Sequence, residues 1–376
     1  MKELTNKTLK NQSLKGGRNS NLELLRIMAM LAIIAHHYVV NSDIVSLALE
    51  ALNANSMLTL IFGGGGKTAI NCFVLITGYF MCKSNITAKK FVKLVAEIMF
   101  YKIVIYVIFV ATGYEAFSFS GLLNAIIPVS TEEVASNFIT CFLYFYLLIP
   151  FLSKLVNALN KKEHLILVCI LLFVFTILPS VRIQVSSNYV IWFSVLFIIA
   201  SFVRLHPMAI FENTKFWAMA TVVSLLLSGA SVAVILYCHF NFGITNVYYF
   251  VADCNKILAV ATGVSAFMFF KNVKIPNSKF INTVAASTFG VLLIHSNSDT
   301  MRAFLWGDFL KNTEFFGTQW QWPHMVLSVL GVFAVCTAID YVRIKLLERP
   351  FLRLYDKAEN KIRDKIKQKK SEKKIS

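Results

Sequence analysis

The chain has 376 residues, of which 57% are hydrophobic and 15% charged, whereas a soluble domain carries about 25% charged residues. Apolar runs near the ~20 residues that a bilayer-spanning helix needs recur along its whole length. This composition excludes a soluble globular enzyme, and the formal net charge of +17 has to be read from where the bases lie.

Residues 1–21 are polar and basic and lack the small-residue cleavage site of a signal peptide, which predicts a retained cytoplasmic tail. About ten transmembrane helices are predicted, near 22–40, 57–82, 91–111, 134–152, 164–180, 187–204, 215–238, 246–270, 281–297 and 323–346. The fold class is therefore all-α: a multi-pass protein of the cell membrane, with a basic N-terminal tail over 1–21, a transmembrane domain over 22–350 and a basic C-terminal tail over 351–376. Short cytoplasmic loops should hold the Lys and Arg residues. Lys2, Lys7, Lys10, Lys15 and Arg18 precede the first span, whereas the next loop has Asp43 and Glu50 and no base. Lys83, Lys89 and Lys90 follow the second span; Glu115, Glu132 and Glu133 follow the third. Lys154, Lys161 and Lys162 follow the fourth, Arg182 alone the fifth, Arg204 and Lys215 the sixth, and no base the seventh. Lys271, Lys274 and Lys279 follow the eighth, and the mixed 298–322 loop with Arg302 follows the ninth. The alternation places both ends in the cytoplasm.

Much of the positive charge lies between Lys357 and Lys374, with Lys361, Arg363, Lys365, Lys367, Lys369 and Lys370 between them. Beside a membrane such a run is drawn to anionic lipid headgroups at ~1 kcal/mol per charge. No fold or aromatic pattern supports nucleic-acid binding. The seven cysteines are scattered, without zinc or disulfide spacing, and read as reduced packing residues. No metal cluster is evident.

An ionisable residue inside the membrane is costly and marks a functional candidate. Arg26 and His37 in the first span are eleven residues apart, three helical turns plus ~20°, so they share one face at ~16 Å separation. His36 points ~80° away from Arg26. His295 in the ninth span lies ~21 Å beyond Ile281, close to the depth of His37, so both rings suit one cavity. Histidine is fitted to proton transfer near neutral pH. The bland alternatives are an Arg reaching back to headgroups and histidines hydrogen-bonded between helices.

In the second span Gly63 to Gly66 are poor helix formers. With Lys67 and Asn71 they line either a water-filled cavity on the outer half or a plain external loop. Asp253 and Lys256 in the eighth span, and Glu97 and Lys102 in the third, read as pairs on single helix faces. His164, His206, His239 and His324 read as ordinary surface residues. No GxSxG, HExxH, Walker or Rossmann fingerprint stands in a supporting context.

This pattern resembles the acyltransferase type 3 family of membrane-bound acyltransferases. Arg26 and His37 match an Arg and a His with ten residues between them in the family's first span. FVLITGYF resembles its Ser-Gly-Tyr signature, with Thr77 in place of Ser before Gly78 and Tyr79. FLYFYLLIPFL, ending near Pro150, resembles its fourth span. TFGVLLIHSN resembles Gly-Val-Tyr-Leu-Ile-His, with Leu292 where Tyr is usual, and Glu348, Arg349, Pro350 and Phe351 resemble its closing Glu-Lys-Pro-Phe. The resemblance covers about 20–355 and is nearest to Gram-positive members associated with surface glycans.

The resemblance implies transfer of an acyl group, usually acetyl, from cytoplasmic acyl-CoA to a glycan hydroxyl. Arg26, with Lys83, Lys89 and Lys90, is then the candidate site for the CoA end. His37 is the candidate base or nucleophile, and His295 would orient the acceptor or stabilise the oxyanion. Asn71, Lys67, Asp253, Lys256 and Arg302 are the candidate residues for the glycan or lipid-linked sugar acceptor. No metal is needed. The rival readings are a transporter or flippase of a lipid-linked sugar, discriminated by acyl-CoA dependence, and a membrane sensor module, disfavoured by the short basic tail.

Overall fold

The computed structural model describes residues 19–84, 86–129, 137–251 and 253–375, with side chains as far as residue 364. The tail bases Lys2, Lys7, Lys10, Lys15 and Arg18 and the loop acids Glu132 and Glu133 lie outside the described residues. So do the side chains of Lys365, Lys367, Lys369, Lys370 and Lys374.

Among the described residues the chain is mostly helical and contains no strand. Among the described residues, seven helices are long and apolar enough to cross a membrane, and three shorter apolar helices, Tyr189–Leu205, Ile257–Asn272 and Lys279–His295, accompany them. All ten stand where spans are predicted. We label the elements that matter α1 (Ser20–Val40), α2 (Ala54–Gly63), α3 (Gly66–Met81), α4 (Ala88–Ala111), α5 (Phe138–Ala158), α6 (Lys161–Leu172), α7 (Tyr189–Leu205), α8 (Thr214–Phe242), α9 (Ile257–Asn272), α10 (Lys279–Ala286), α11 (Thr288–His295) and α12 (Gln321–Arg343).

Many of these helices start on a polar cap. Asn53, Thr87, Asn137, Asn188, Asn213 and Ser278 each accept a backbone N–H of the first turn, and Asn160 forms a reciprocal capping box with Glu163. Such caps satisfy donors that lipid cannot. The outer surface is apolar: α8 exposes Val222, Leu226, Leu227 and Val234, as a lipid-facing helix requires. The polar side chains turn inward instead.

Two predicted spans are broken and a third is shortened. The second divides at Gly64 and Gly65 into α2 and α3. A Cβ on Gly66 would collide with the His36 ring, and His36 Nδ1 lies 2.7 Å from the Gly63 carbonyl. The glycines therefore let α1 approach the break, and the segment is not a plain loop: Gly64 and Gly65 border one cavity and Lys67 another. The ninth span divides at Ser287 into α10 and α11. The eighth is shorter than its predicted 246–270, because α9 begins only at Ile257.

That late start corrects the pairing of Asp253 with Lys256. Both precede α9, so they share no helix face; Lys256 Nζ instead donates to the Pro179 carbonyl at 2.9 Å. Glu97 and Lys102 do not pair either. Five residues apart, they point ~140° from each other; Lys102 donates to the Ile127 carbonyl at 2.6 Å, and Glu97 meets Arg343 at 2.9 Å. Arg343 spends all three nitrogens on carboxylates: Nε on Asp340 (2.8 Å), Nη1 on Glu348 (2.9 Å) and Nη2 on Glu97. Tyr101 donates to Asp340 at 2.8 Å and Lys93 meets Glu348 at 2.6 Å. Glu348, in the closing sequence motif, thus ties α4 to the end of α12.

Candidate active site

α1 turns Met30, Ile33 and His37 towards a cavity of about 270 Å³. Positions 26, 30, 33 and 37 are four, three and four residues apart, one stripe of a helix. Arg26 continues that stripe one turn beyond Met30, away from His37, and sits 3.6 Å from Glu23. The shared face read from the spacing is therefore real.

His37 and His295 meet. His37 Nδ1 lies 3.0 Å from His295 Nε2, with the ring centres 5.2 Å apart. His295 is fully buried, and its Nδ1 lies 2.6 Å from the Val291 carbonyl, one helical turn back in α11. A carbonyl only accepts, so His295 Nδ1 carries a proton. An isolated buried imidazolium is costly, so His295 is neutral and its Nε2 is an acceptor. His37 Nδ1 must then donate to it, which leaves the lone pair of His37 on Nε2. Two hydrogen bonds in series thus fix the tautomer of the ring at the cavity. His295 has no free nitrogen for an acceptor or an oxyanion and does not line the cavity; its geometry is that of an orienting partner.

Lys67 and Arg302 reach the same cavity from α3 and from the segment after α11. Lys67 Nζ is 2.7 Å from the Tyr189 hydroxyl, and Arg302 pairs with Asp299. Leu292 also lines it, as does Thr77, whose hydroxyl is spent on the Phe73 carbonyl at 2.9 Å. A lone pair and two cations therefore surround one space.

The other predicted site residues are placed differently. Asn71 is fully buried with every polar atom used: Nδ2 donates to the Cys254 and Ala259 carbonyls (2.7 and 3.1 Å), and Oδ1 accepts from Trp192 Nε1 at 2.9 Å. It clamps α3 to α9 and α7 and lines no wall of the His37 cavity. Asp253 and Lys256 line a neighbouring cavity, not this one. Lys83 and Lys90 are exposed, and Lys89 is held by Asp356 at 2.7 Å; none of the three lines the His37 cavity.

Sequence reasoning missed Tyr189, the partner of Lys67. The only signal was its place just after the capping Asn188 at the mouth of α7. His164 and His324 are not ordinary surface residues. His164 is fully buried, with Nε2 3.0 Å from the Ile198 carbonyl. His324 lies 2.7 Å from the Tyr38 hydroxyl and stacks on Phe315 with ring centres 3.9 Å apart. Among the described residues, no three His, Cys, Asp or Glu side chains gather as a metal site.

No curated protein and no solved structure matches the chain. The family model for an acyltransferase domain matches residues 19–341, so this chain belongs to the acyltransferase type 3 family and is a membrane acyltransferase.

Proposed function

We propose that the protein transfers an acyl group, acetyl in the simplest case, from cytoplasmic acyl-CoA to a hydroxyl of a cell-surface or exopolysaccharide glycan at the cell membrane. The observation that carries this reading is the hydrogen-bond order Val291–His295–His37, which leaves an oriented lone pair on His37 Nε2 beside the cavity. His37 takes the proton of the acceptor hydroxyl as its oxygen attacks the thioester carbonyl. The tetrahedral oxyanion forms near Lys67 and Arg302, whose charges favour it. Its collapse breaks the C–S bond, and the proton passes from His37 to the departing thiolate. His295 holds the ring in the productive tautomer.

Arg26 lies ~16 Å along α1 from His37, at the end towards Lys83, Lys89 and Lys90. That separation suits a donor with charged phosphates at one end and a thioester on a long flexible arm. The basic tails lie against anionic lipid. Ten crossings with both ends in the cytoplasm put Arg26 inside and His37 towards the outside. Cysteines introduced at 45–53 and 115–130 should label from outside, and those at 84–90 and 272–279 should not. Strong external labelling at 84–90 sinks that orientation.

The deciding experiment supplies purified protein in bilayers with isotopically labelled acetyl-CoA and glycan acceptors, alongside mass spectrometry of surface glycans from cells with and without the gene. Acceptor-dependent loss of acetyl-CoA, with label on the glycan, is expected. Label trapped on His37 without acceptor would replace the general-base role by a nucleophilic one. Sugar movement across the bilayer without use of acyl-CoA would overturn the acyltransferase.

A further inference from the structure

Beyond the Lys67–Tyr189 hydrogen bond lies a second, larger cavity of about 1160 Å³, between the 179–192 and 246–256 segments. Lys67 and Tyr189 line both spaces, so this pair is the partition between the larger cavity and the histidines. The wall of the larger cavity carries Lys67, Arg182 and Lys256 against one carboxylate, Asp253. The Arg182 guanidinium lies 5.6 Å, and Lys256 Nζ 4.3 Å, from the centre of the same Tyr249 ring. Two cations gathered on one ring repel each other, and among the described residues neither is ion-paired with a carboxylate. The Tyr249 hydroxyl is itself tied down, 3.1 Å from the Pro179 carbonyl that also accepts from Lys256.

Arg182 sits in a conformation that folding alone would give to another residue. Its φ is +67°. It follows the end of the helical run that begins with α6 and closes a Schellman turn: Ile183 N–H reaches the Leu178 carbonyl at 3.0 Å and Arg182 N–H the Pro179 carbonyl at 3.4 Å. Glycine is the usual occupant of that position, because a side chain strains the left-handed backbone. The platform beneath is well built. Pro179 cannot donate to the Phe175 carbonyl one turn back, and Asn255 Nδ2 fills that vacancy at 2.9 Å. A strained residue on a rigid support, aiming a cation into a cavity, is the pattern of a binding position. Attraction of the guanidinium to the helix C-terminus is the purely structural alternative.

We propose that this cavity is the acceptor subsite and that it selects an acidic glycan: a carboxylate or phosphate on the sugar seats between Arg182 and Lys256 over Tyr249. The hydroxyl to be acylated then reaches His37 past the Lys67–Tyr189 pair. This assignment rests on the acyltransferase reading for its purpose, though not for its binding chemistry.

The test measures binding without acyl donor, by calorimetry on the full chain in nanodiscs of zwitterionic lipid. Three tetrasaccharide probes of equal length are compared: a neutral hexose, a hexuronic acid and a phosphorylated hexose. At least one acidic probe is expected to bind about tenfold or more tighter than the neutral one, as charge-assisted hydrogen bonds dictate, and to weaken as salt is raised. The preferred acid names the substituent. Arg182→Gly is expected to lose that preference while keeping or raising the thermal midpoint, because glycine relieves the left-handed strain. Equal binding of the three probes, or binding of none, overturns the proposal. So does an Arg182→Gly protein that keeps its preference; if its thermal midpoint also falls, Arg182 belongs to the helix end. Acyl-CoA consumption is followed separately. Acidic-probe binding with no consumption for any acceptor leaves the subsite standing and removes the acyltransferase. Consumption with equal use of neutral and acidic acceptors does the reverse.

Discussion

Two of the buried polar clusters among the described residues differ in how their valences close. Around Arg343 every guanidinium nitrogen meets a carboxylate oxygen, and Lys93 and Tyr101 add to the same carboxylates. Around His37 the hydrogen bonds run in one direction, from His37 to His295 to the Val291 carbonyl, and leave one lone pair on a ring that lines a cavity. The first arrangement spends every nitrogen of its cation, leaves one fully buried carboxylate oxygen, Asp340 Oδ2, without a partner, and serves to hold α4 against the end of α12. The second holds a ring still while keeping one atom available. Burial and charge alone do not separate the two; a free valence on a ring that lines a cavity does.

The comparison breaks most easily at Arg343. Arg343→Ala should leave Glu97 and Asp340 buried without their cation, while Glu348 keeps Lys93, at a cost of about 3–5 kcal/mol. The folded fraction after extraction should collapse. If the variant stayed folded and lost only turnover, the cluster would belong to the site. His37→Ala should do the opposite: normal folded yield and unchanged acyl-CoA binding, with turnover lower by ~10²–10⁴, the scale of a positioned general base. Size-exclusion profiles and turnover on the same preparations decide both.

A smaller effect is expected at His295. His295→Ala removes the acceptor that fixes His37's tautomer but leaves His37 in place. Partners that orient a functional histidine are typically worth ~10–100-fold, so the loss should fall short of that at His37 and should come in kcat with little change in KM. The double variant should be no worse than His37→Ala, because the two rings act as one unit. Multiplying losses would give His295 a separate role.

How much of this was legible in the sequence follows from the kind of information each feature needs. Span positions, the Arg26–His37 stripe and the matched depth of His37 and His295 are properties of single helices with fixed rise and rotation. They survive into the structure. What failed was pairing. Glu97 looked towards Lys102 because both lie in one span, whereas its partner Arg343 is 246 residues away. Asp253 and Lys256 looked paired because the run was read as helical too far upstream. Asn71 was legible as a polar residue at membrane depth, yet nothing in the sequence shows that Cys254, Ala259 and Trp192 use up its valences. Arg182 looked like a lone loop base until its backbone placed it in a glycine position.

The finest test of the comparison sets two adjacent residues against each other. His36 and His37 are consecutive on α1, and the helical rotation of ~100° per residue separates their tasks. His36 Nδ1 donates to the Gly63 carbonyl at the break between α2 and α3, and its ring lies over Gly66. That carbonyl belongs to the last turn of α2, so it needs a partner that lipid cannot supply. His36→Ala deletes one neutral hydrogen bond, at ~1 kcal/mol, and leaves a gap beside Gly66. It should therefore lower the thermal midpoint modestly and leave kcat at 25 °C within a few-fold of the parent protein. Adding Gly66→Ala to His36→Ala should bring little relief over Gly66→Ala alone, because the methyl would still collide with the Cβ that alanine keeps at position 36. Equal inactivity of His36→Ala and His37→Ala at equal folded yield would defeat the division of α1 into a packing face and a chemical face. A stability loss at His36 with chemistry intact, beside a chemistry loss at His37 with stability intact, would establish it.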